Sequence, residues 1–113
     1  MRIEGYRFGR ITVDGREYRA DVVLLPDRVL ESWWRREGHN LCLEDLAEAL
    51  ACRPEALVIG QGNPGLMKVP PELTEELRRQ GIEVFAAPTE RAVAEYNRLR
   101  ETRRTVAAFH LTC

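Results

Sequence analysis

The first third of the chain consists of short apolar and polar stretches separated by turn residues. Tyr6–Val13 and Glu17–Leu25 flank Asp14-Gly15, a pair that strongly favours a two-residue β-hairpin turn. Pro26-Asp27 then turns the chain into Val29–Trp34, which is predicted to be a third antiparallel segment. This part of the chain is therefore expected to begin the fold with an antiparallel hairpin.

The remainder alternates compact apolar runs with apolar residues at helical spacing. Strands are predicted at Leu57–Gly60, Ile82–Ala87 and Val106–Phe109, and a first helix is predicted around Leu43, Leu46, Ala47 and Leu50. A second helix follows Pro70-Pro71 and ends before Gly81, and a third covers about Glu90–Glu101 with Thr89 as its N-cap. The order β-α-β-α-β favours parallel strands, so residues 1–113 are predicted to be a single α/β domain.

Composition and charge exclude several function classes. The 113 residues include 17 Lys and Arg against 18 Asp and Glu, a net charge of −1, so a nucleic-acid partner is not expected. No apolar run approaches the roughly 20 residues that a membrane span needs, and Met1–Gly5 lacks the apolar region of a signal peptide. Three widely spaced cysteines argue against a disulfide framework, and a cytoplasmic protein without membrane partners is expected.

Each of the three predicted parallel strands ends in a polar or glycine-bearing segment. The carboxyl ends of parallel strands share one edge of the sheet, where ligands bind in open α/β folds. The candidate ligand-binding residues at this edge are Gly60, Gly62, Asn63, Thr89, His110 and Cys113. Their backbone amides predict a pocket for a small anionic group, whereas the alternative for the glycines is a tight turn that needs positive φ.

A dinucleotide site is not expected at this edge. Gly60, Gly62 and Gly65 satisfy the GxGxxG spacing directly after a strand. That fingerprint needs a helix that opens at the third glycine, but Pro64 and Leu66–Val69 intervene before the next helix. No cofactor is therefore predicted.

Both histidines occur beside cysteines, in His39–Cys42 and His110–Cys113. Two imidazoles and two thiols are a chemically complete tetrahedral zinc set, but their spacing is not that of a common zinc module, and no metal is predicted. The same residues offer a Cys-His nucleophile, although the sequence shows no third group to orient the imidazole. No catalytic residue is assigned.

Trp33 and Trp34, followed by Arg35, are the candidate partner-binding residues. Adjacent residues of a strand point to opposite faces, so one indole is expected in the core and the other at a helix layer or a partner. Tryptophan and arginine are enriched at binding hot spots, and core packing is the alternative. Asn97, near the inward stripe of the last helix, is expected to anchor a neighbouring loop or helix end by hydrogen bonds.

Several segments together resemble a known family. They are Leu57–Gly62, Leu66–Pro70, Thr89–Asn97 with Leu99, and Phe109–Cys113. They resemble the adipogenesis-associated (Mth-type) domain family of unknown function, which includes a branch of mitochondrial complex I assembly factors. The resemblance implies a three-layer α/β fold around a mixed sheet and no established activity, metal or cofactor. The sequence is expected to lack a mitochondrial targeting segment, so the assembly role of that branch is not expected to transfer directly.

Two hypotheses follow. The first is a small non-enzymatic cytoplasmic module for protein interaction or assembly, whose partner contacts the tryptophan pair. The second is a binder of a small anionic ligand, or an enzyme, at the sheet edge, with His110 as acid, base or ligand and Cys113 as nucleophile. Homodimer formation is compatible with the sequence, but no residue pattern specifies an interface.

Overall fold

The computed structural model describes residues 1–113, and its eight strands form two sheets. A three-stranded antiparallel sheet contains β1 (Ile3–Arg7), β2 (Arg10–Val13) and β3 (Arg16–Tyr18). A five-stranded sheet contains β4 (Val22–Leu24), β5 (Val29–Leu30), β6 (Ala56–Gln61), β7 (Glu83–Ala87) and β8 (Thr105–His110). The spatial order of the larger sheet is β5-β4-β8-β6-β7.

The helices are short and follow the predicted order. A 3₁₀ turn at Leu43–Leu46 leads into α1 (Ala47–Ala51), and α2 (Pro71–Arg79) and α3 (Thr89–Leu99) follow. Pro71 begins α2, where its missing N–H leaves no hydrogen bond unmade. None of the helices combines the length and apolar character needed to cross a bilayer.

The larger sheet is mixed, as the family resemblance implies. Strand β6 pairs in parallel with both β7 and β8. Strand β4 runs antiparallel to β8, and β5 runs antiparallel to β4. The predicted fold class, an α/β fold with an N-terminal hairpin followed by a β-α-β-α-β unit, is confirmed.

Alternation along the central strands divides the core into two halves. On β6, Ala56 and Val58 belong to the half shared with α3 and the small sheet, whereas Leu57 and Ile59 belong to the half shared with α1 and α2. All four side chains are fully buried. A central strand buried on both faces reads as a continuous apolar run, which explains why its position was predictable.

The antiparallel part differs from the prediction in its boundaries. The Asp14-Gly15 turn is present, with φ values of 49° and 82°, and joins β2 to β3. However, Tyr6–Val13 is not one strand, because a second turn with Gly9 at φ 82° separates β1 from β2. The small sheet built in this way lies outside the larger sheet.

Two further predicted segments are shorter or divided. The segment Glu17–Leu25 is shared between β3 and β4, which belong to different sheets. Of Val29–Trp34, only Val29–Leu30 is a strand, and Ser32 has a positive φ of 59° that ends the extended conformation. The chain then runs back beside β4, where the Trp33 N–H donates to the carbonyl of Asp21 at 2.7 Å.

Candidate functional site

The carboxyl ends of the three parallel strands meet, and they bring several of the predicted edge residues together. Gly60 lies opposite Ala87 and Phe109 in the sheet register. The Thr89 hydroxyl accepts a hydrogen bond from the Gly62 N–H at 2.9 Å and donates to the His110 carbonyl at 2.6 Å. One side chain thus ties the first turn of α3 to the ends of β6 and β8.

The backbone amides expected to bind an anion are already bonded within the protein. The Gly62 N–H is taken by Thr89, the Asn63 N–H donates to the Thr112 carbonyl at 2.9 Å, and the Thr89 N–H donates to the Gly62 carbonyl at 3.0 Å. Thr89 is fully buried. The residue at the N-cap of α3 is Pro88, so the predicted capping role of Thr89 is wrong: its hydroxyl bonds across the sheet instead.

The two glycines at the end of β6 are needed for close packing. A Cβ on Gly60 would lie 2.6 Å from the Phe109 ring and 2.8 Å from the Thr89 hydroxyl oxygen. A Cβ on Gly62 would lie 2.2 Å from the Thr112 carbonyl oxygen, and Gly62 has a φ of 94°. The C-terminal residues thus pack directly against this turn, which is the positive-φ turn given as the alternative to a pocket.

A buried cluster of three ionisable side chains lies beside this edge and contains Asp21, Arg35 and His110; we call it the Asp21 cluster. Asp21 Oδ2 lies 2.8 Å from His110 Nδ1 and 2.8 Å from Arg35 Nη1, and Arg35 Nη2 lies 3.1 Å from His110 Nδ1. Asp21 Oδ1 accepts the Leu111 N–H at 2.8 Å. The side chains of Arg35 and His110 are 7% and 8% exposed, so the cluster is largely shielded from water.

The surroundings of Asp21 favour its ionised form. Burial alone would raise the pKa of Asp21, but the hydrogen bonds from His110, the Leu111 amide and Arg35 outweigh burial and lower the pKa below 3.8. The carboxylate of Asp21 lies 2.8 Å from His110 Nδ1 and thereby holds the orientation of the imidazole ring. His110 Nε2 is buried and has no hydrogen-bond partner.

The structure changes the interpretation of Arg35 and of the surroundings of His110. The sequence predicts Arg35 on a partner-binding surface, but its side chain is buried, and its guanidinium contacts Asp21 and His110 and donates to the Gly38 carbonyl. The sequence also shows no group to orient the His110 imidazole, and Asp21 is that group. Asp21 lies between two strands of different sheets without a motif around it, so no sequence pattern points to it.

The four histidines and cysteines considered for zinc do not form one site. The rings of His39 and His110 lie against each other, with centroids 5.8 Å apart. Cys42 instead donates from Sγ to Asp45 at 3.2 Å, and Cys113 is exposed. No group of three or more His, Cys, Asp or Glu side chains is arranged to hold a metal ion.

A groove of about 760 Å³ lies on another part of the surface, between β5, the 3₁₀ turn and α1. Its apolar lining is Val23, Val29, Leu30, Trp33 and Trp34, and its polar lining is Glu31, Ser32, Arg36, Glu44, Asp45 and Glu48. We call it the tryptophan groove. Four acidic side chains against one arginine give its rim a negative charge.

The two tryptophans have different environments, although neither is in a strand. Trp33 is partly buried: its Nε1–H donates to the Asp45 carbonyl at 2.9 Å, and the Arg35 guanidinium lies 4.7 Å from its ring centroid. Trp34 is 77% exposed. Trp33 thus packs against the protein, whereas Trp34 faces solvent. Because neither residue lies in a strand, alternation along a strand does not explain this difference.

Comparison with known proteins agrees with this fold. A family model described as a protein of unknown function (DUF498/DUF598) matches residues 3–111. The conserved hypothetical protein PH1505 from Pyrococcus horikoshii is 29% identical over 100% of both chains, with a TM-score of 0.84. The protein MT938 is 31% identical over 99% of this chain and 98% of its own, with a TM-score of 0.82.

A more distant structure shows the same fold. A Mth938-like domain from Bordetella pertussis is 22% identical over 97% of this chain and 85% of its own, with a TM-score of 0.68. The resemblance to Mth-type domains is therefore confirmed. The chain belongs to the DUF498/DUF598 family, whose function is unknown.

Proposed function

We propose that this protein is an interaction module that binds a segment of a partner protein in the tryptophan groove. The segment carries a large apolar side chain flanked by Lys or Arg. The observation that carries the proposal is the 77% exposure of Trp34 on the rim of the groove. We take this indole as the binding anchor, because truncation of an interface tryptophan to alanine often removes much of the binding energy.

The groove combines an apolar floor with an open indole. Val23 is almost fully buried, and Val29, Leu30 and Trp33 are partly buried, so the floor is apolar but accessible. Trp33 is held by its hydrogen bond to the Asp45 carbonyl, so the floor is formed before a partner arrives. A preformed apolar site binds with a smaller loss of conformational entropy than one that must be ordered.

Charge indicates the chemistry of the partner. Glu31 pairs with Arg16 at 3.3 Å, and Glu44 pairs with Arg36 at 3.8 Å, both at exposed positions where such pairs contribute little. Glu48 adds a further carboxylate to the lining of the groove. A basic partner therefore meets a net negative rim, which favours its association over that of an acidic one.

Strand β5 supplies backbone contacts beside the groove. It is the end strand of the five-stranded sheet and pairs only with β4, so the backbone of Val29–Leu30 has a free outer edge. Both residues also line the groove. An extended partner segment can hydrogen-bond to such an edge while its side chains enter the adjacent groove.

The groove is favoured over the sheet edge because the edge amides are already bonded to Thr89, Thr112 and Gly62. The proposal requires no catalytic step. We place the interaction in the cytoplasm, since all three cysteines are unpaired.

Binding of synthetic peptides tests the proposal. One set carries a central Trp, Phe or Leu flanked by Lys and Arg, and a matched set carries Glu at the flanking positions. We expect fluorescence anisotropy to show binding of the basic set only, weakened about tenfold or more by Trp34→Ala. Glu48→Lys should slow association and reduce its dependence on salt.

Phe8→Ala is the matched control, because Phe8 is 55% exposed and does not line the groove. It should bind the basic peptides as the wild type does. Equal binding of the acidic and basic sets, or an unchanged Kd for Trp34→Ala, would contradict the proposal. Light scattering measures whether the free protein is a dimer. A dimer that is present in the wild type and lost in Trp34→Ala would show that the groove binds a second copy of this chain instead.

A further inference from the structure

We infer that His39 and His110 form a two-histidine site for a late first-row divalent cation such as Zn²⁺ or Co²⁺. This inference is independent of the tryptophan groove. It rests on the juxtaposition of the two rings, the unpartnered nitrogen of His110 and the carboxylate that orients that ring.

His110 has the features of a metal ligand. The residue is 6% exposed, and its Nε2 has no hydrogen-bond partner, although a buried polar atom is normally satisfied. Nδ1 is held 2.8 Å from Asp21 Oδ2, and the tautomer that donates from Nδ1 to this carboxylate has its lone pair on Nε2. A carboxylate behind a ligating histidine fixes its tautomer and orientation in this way.

His39 supplies the second imidazole from an adjacent loop. Its backbone is anchored, because its carbonyl accepts the Lys68 N–H at 2.9 Å and the Leu41 N–H donates to the Lys68 carbonyl at 2.9 Å. The residue is exposed, and its ring contacts His110 without a hydrogen bond of its own. The ring can therefore rotate while the backbone keeps it next to His110.

The distance between the rings is close to that of a coordinated pair. Imidazole nitrogens lie about 2.0 Å from zinc, so two rings bound tetrahedrally have centroids about 5 Å apart. The observed separation is 5.8 Å at an interplanar angle of 73°. The observed separation exceeds that of a coordinated pair by about 1 Å, so the inferred site requires the exposed His39 ring to move closer and turn a nitrogen towards His110 Nε2.

The charge and ligand type define the cation. Arg35 and Asp21 offset each other next to Nδ1, so this pair adds no net charge beside the site, and water completes the coordination of the cation. Imidazole pairs select Zn²⁺, Co²⁺, Ni²⁺ or Cu²⁺ over Mg²⁺ and Ca²⁺, which prefer oxygen ligands.

Titration with Co²⁺ and Zn²⁺ tests this site in a Cys42→Ser/Cys52→Ser/Cys113→Ser background, which removes thiolate binding. We expect Co²⁺ to give a visible absorption band that Zn²⁺ abolishes by competition. NMR spectra of the histidine side chains should show a Zn²⁺-dependent change in the chemical shift of His110 Nε2. His39→Ala should weaken binding about tenfold or more, and because His39 is exposed the variant should fold as the background protein does.

Asn40→Ala is the neighbouring exposed control and should bind Zn²⁺ like the background protein. The inference is overturned if His39→Ala binds Zn²⁺ with unchanged affinity. It is equally overturned if the His110 Nε2 resonance does not move at saturating Zn²⁺, or if Mg²⁺ competes as well as Zn²⁺.

Discussion

Asp21 joins parts of the chain that lie far apart in sequence. Its carboxylate accepts hydrogen bonds from Arg35, from His110 at the end of β8 and from the Leu111 amide. Because the Arg35 side chain is only 7% exposed, loss of the carboxylate leaves a buried cation without its partner. Breaking such a pair by removing one member is more damaging than the net stabilisation of the pair suggests.

Stability should therefore depend on pH through Asp21. Its pKa is lowered below 3.8 in the folded state, so the carboxylate stabilises the fold above about pH 4. That contribution should be lost as pH falls through the folded-state pKa. Urea denaturation at pH 7, 5, 4 and 3 should show Asp21→Asn about 3 kcal/mol less stable than wild type at pH 7, with the difference shrinking in acid.

Asp27→Asn is the control, because the Asp27 side chain is 75% exposed and pairs only with Arg28. It should stay within about 0.5 kcal/mol of wild type at neutral pH. A difference between Asp21→Asn and wild type that stays constant from pH 7 to pH 3 would show that Asp21 does not titrate as described.

Thr89 gives a second prediction for a single residue. Thr89→Val keeps the shape of the side chain but leaves the Gly62 N–H and the His110 carbonyl without their partner in a fully buried position. We expect it to lower the free energy of unfolding by about 3 kcal/mol. Thr89→Ser keeps the hydroxyl and should lose only about 1 kcal/mol, so equal losses in urea denaturation would contradict the hydrogen-bonding role.

At the scale of elements, the turn after β6 is set by the residues packed against it. Gly62→Ala places a Cβ 2.2 Å from the Thr112 carbonyl oxygen, whereas Gly81→Ala, at a similar positive φ, meets nothing within 4 Å. Gly81→Ala should lower the free energy of unfolding by only about 1 kcal/mol, the cost of a left-handed backbone conformation for alanine. Urea denaturation should show a clearly larger loss of unfolding free energy for Gly62→Ala, and the NMR signals of residues 110–113 should shift. Equal losses for the two variants would show that the C-terminal segment moves aside at little energetic cost.

The elements differ in how far their sequences specify them. Strands β6 and β8 are central and buried on both faces, so apolar runs mark them within one or two residues. Strands β3 to β5 have only two or three residues each, and their pairing depends on which sheet they join. That choice is made by long-range contacts, which a local pattern does not contain.

The candidate sites follow the same division. The meeting of Gly62, Thr89 and His110 was predictable, because parallel strand ends share an edge. The sequence alone could not predict that residues 111–113 occupy this edge, because their position depends on the path of the chain after β8. The Asp21 cluster was also hidden, because its members are separated by up to 89 positions.

For the whole molecule, two sets of hydrogen bonds attach the small sheet to the main body, in addition to the exposed Arg16–Glu31 pair. Asn97 on α3 accepts the Ile3 N–H at 2.9 Å and donates to the Ile3 carbonyl at 2.8 Å. The Leu111 carbonyl accepts from the Gly9 N–H and from the Tyr6 hydroxyl, both at 2.8 Å. The sequence predicts that Asn97 anchors a loop or helix end, and it holds strand β1 instead.

Removal of the first attachment should loosen one sheet selectively. Asn97→Ala leaves both polar groups of Ile3 without their partner, so we expect a loss of about 2 kcal/mol in urea denaturation. Hydrogen exchange should accelerate in β1 and β2 more than in β6 and β8, because the apolar contacts of the larger sheet remain. Gln80→Ala, at the exposed end of α2, is the control and should leave both sheets protected. Equal acceleration in the two sheets would mean that they open as one cooperative unit, and that Asn97 stabilises the whole fold instead of one attachment.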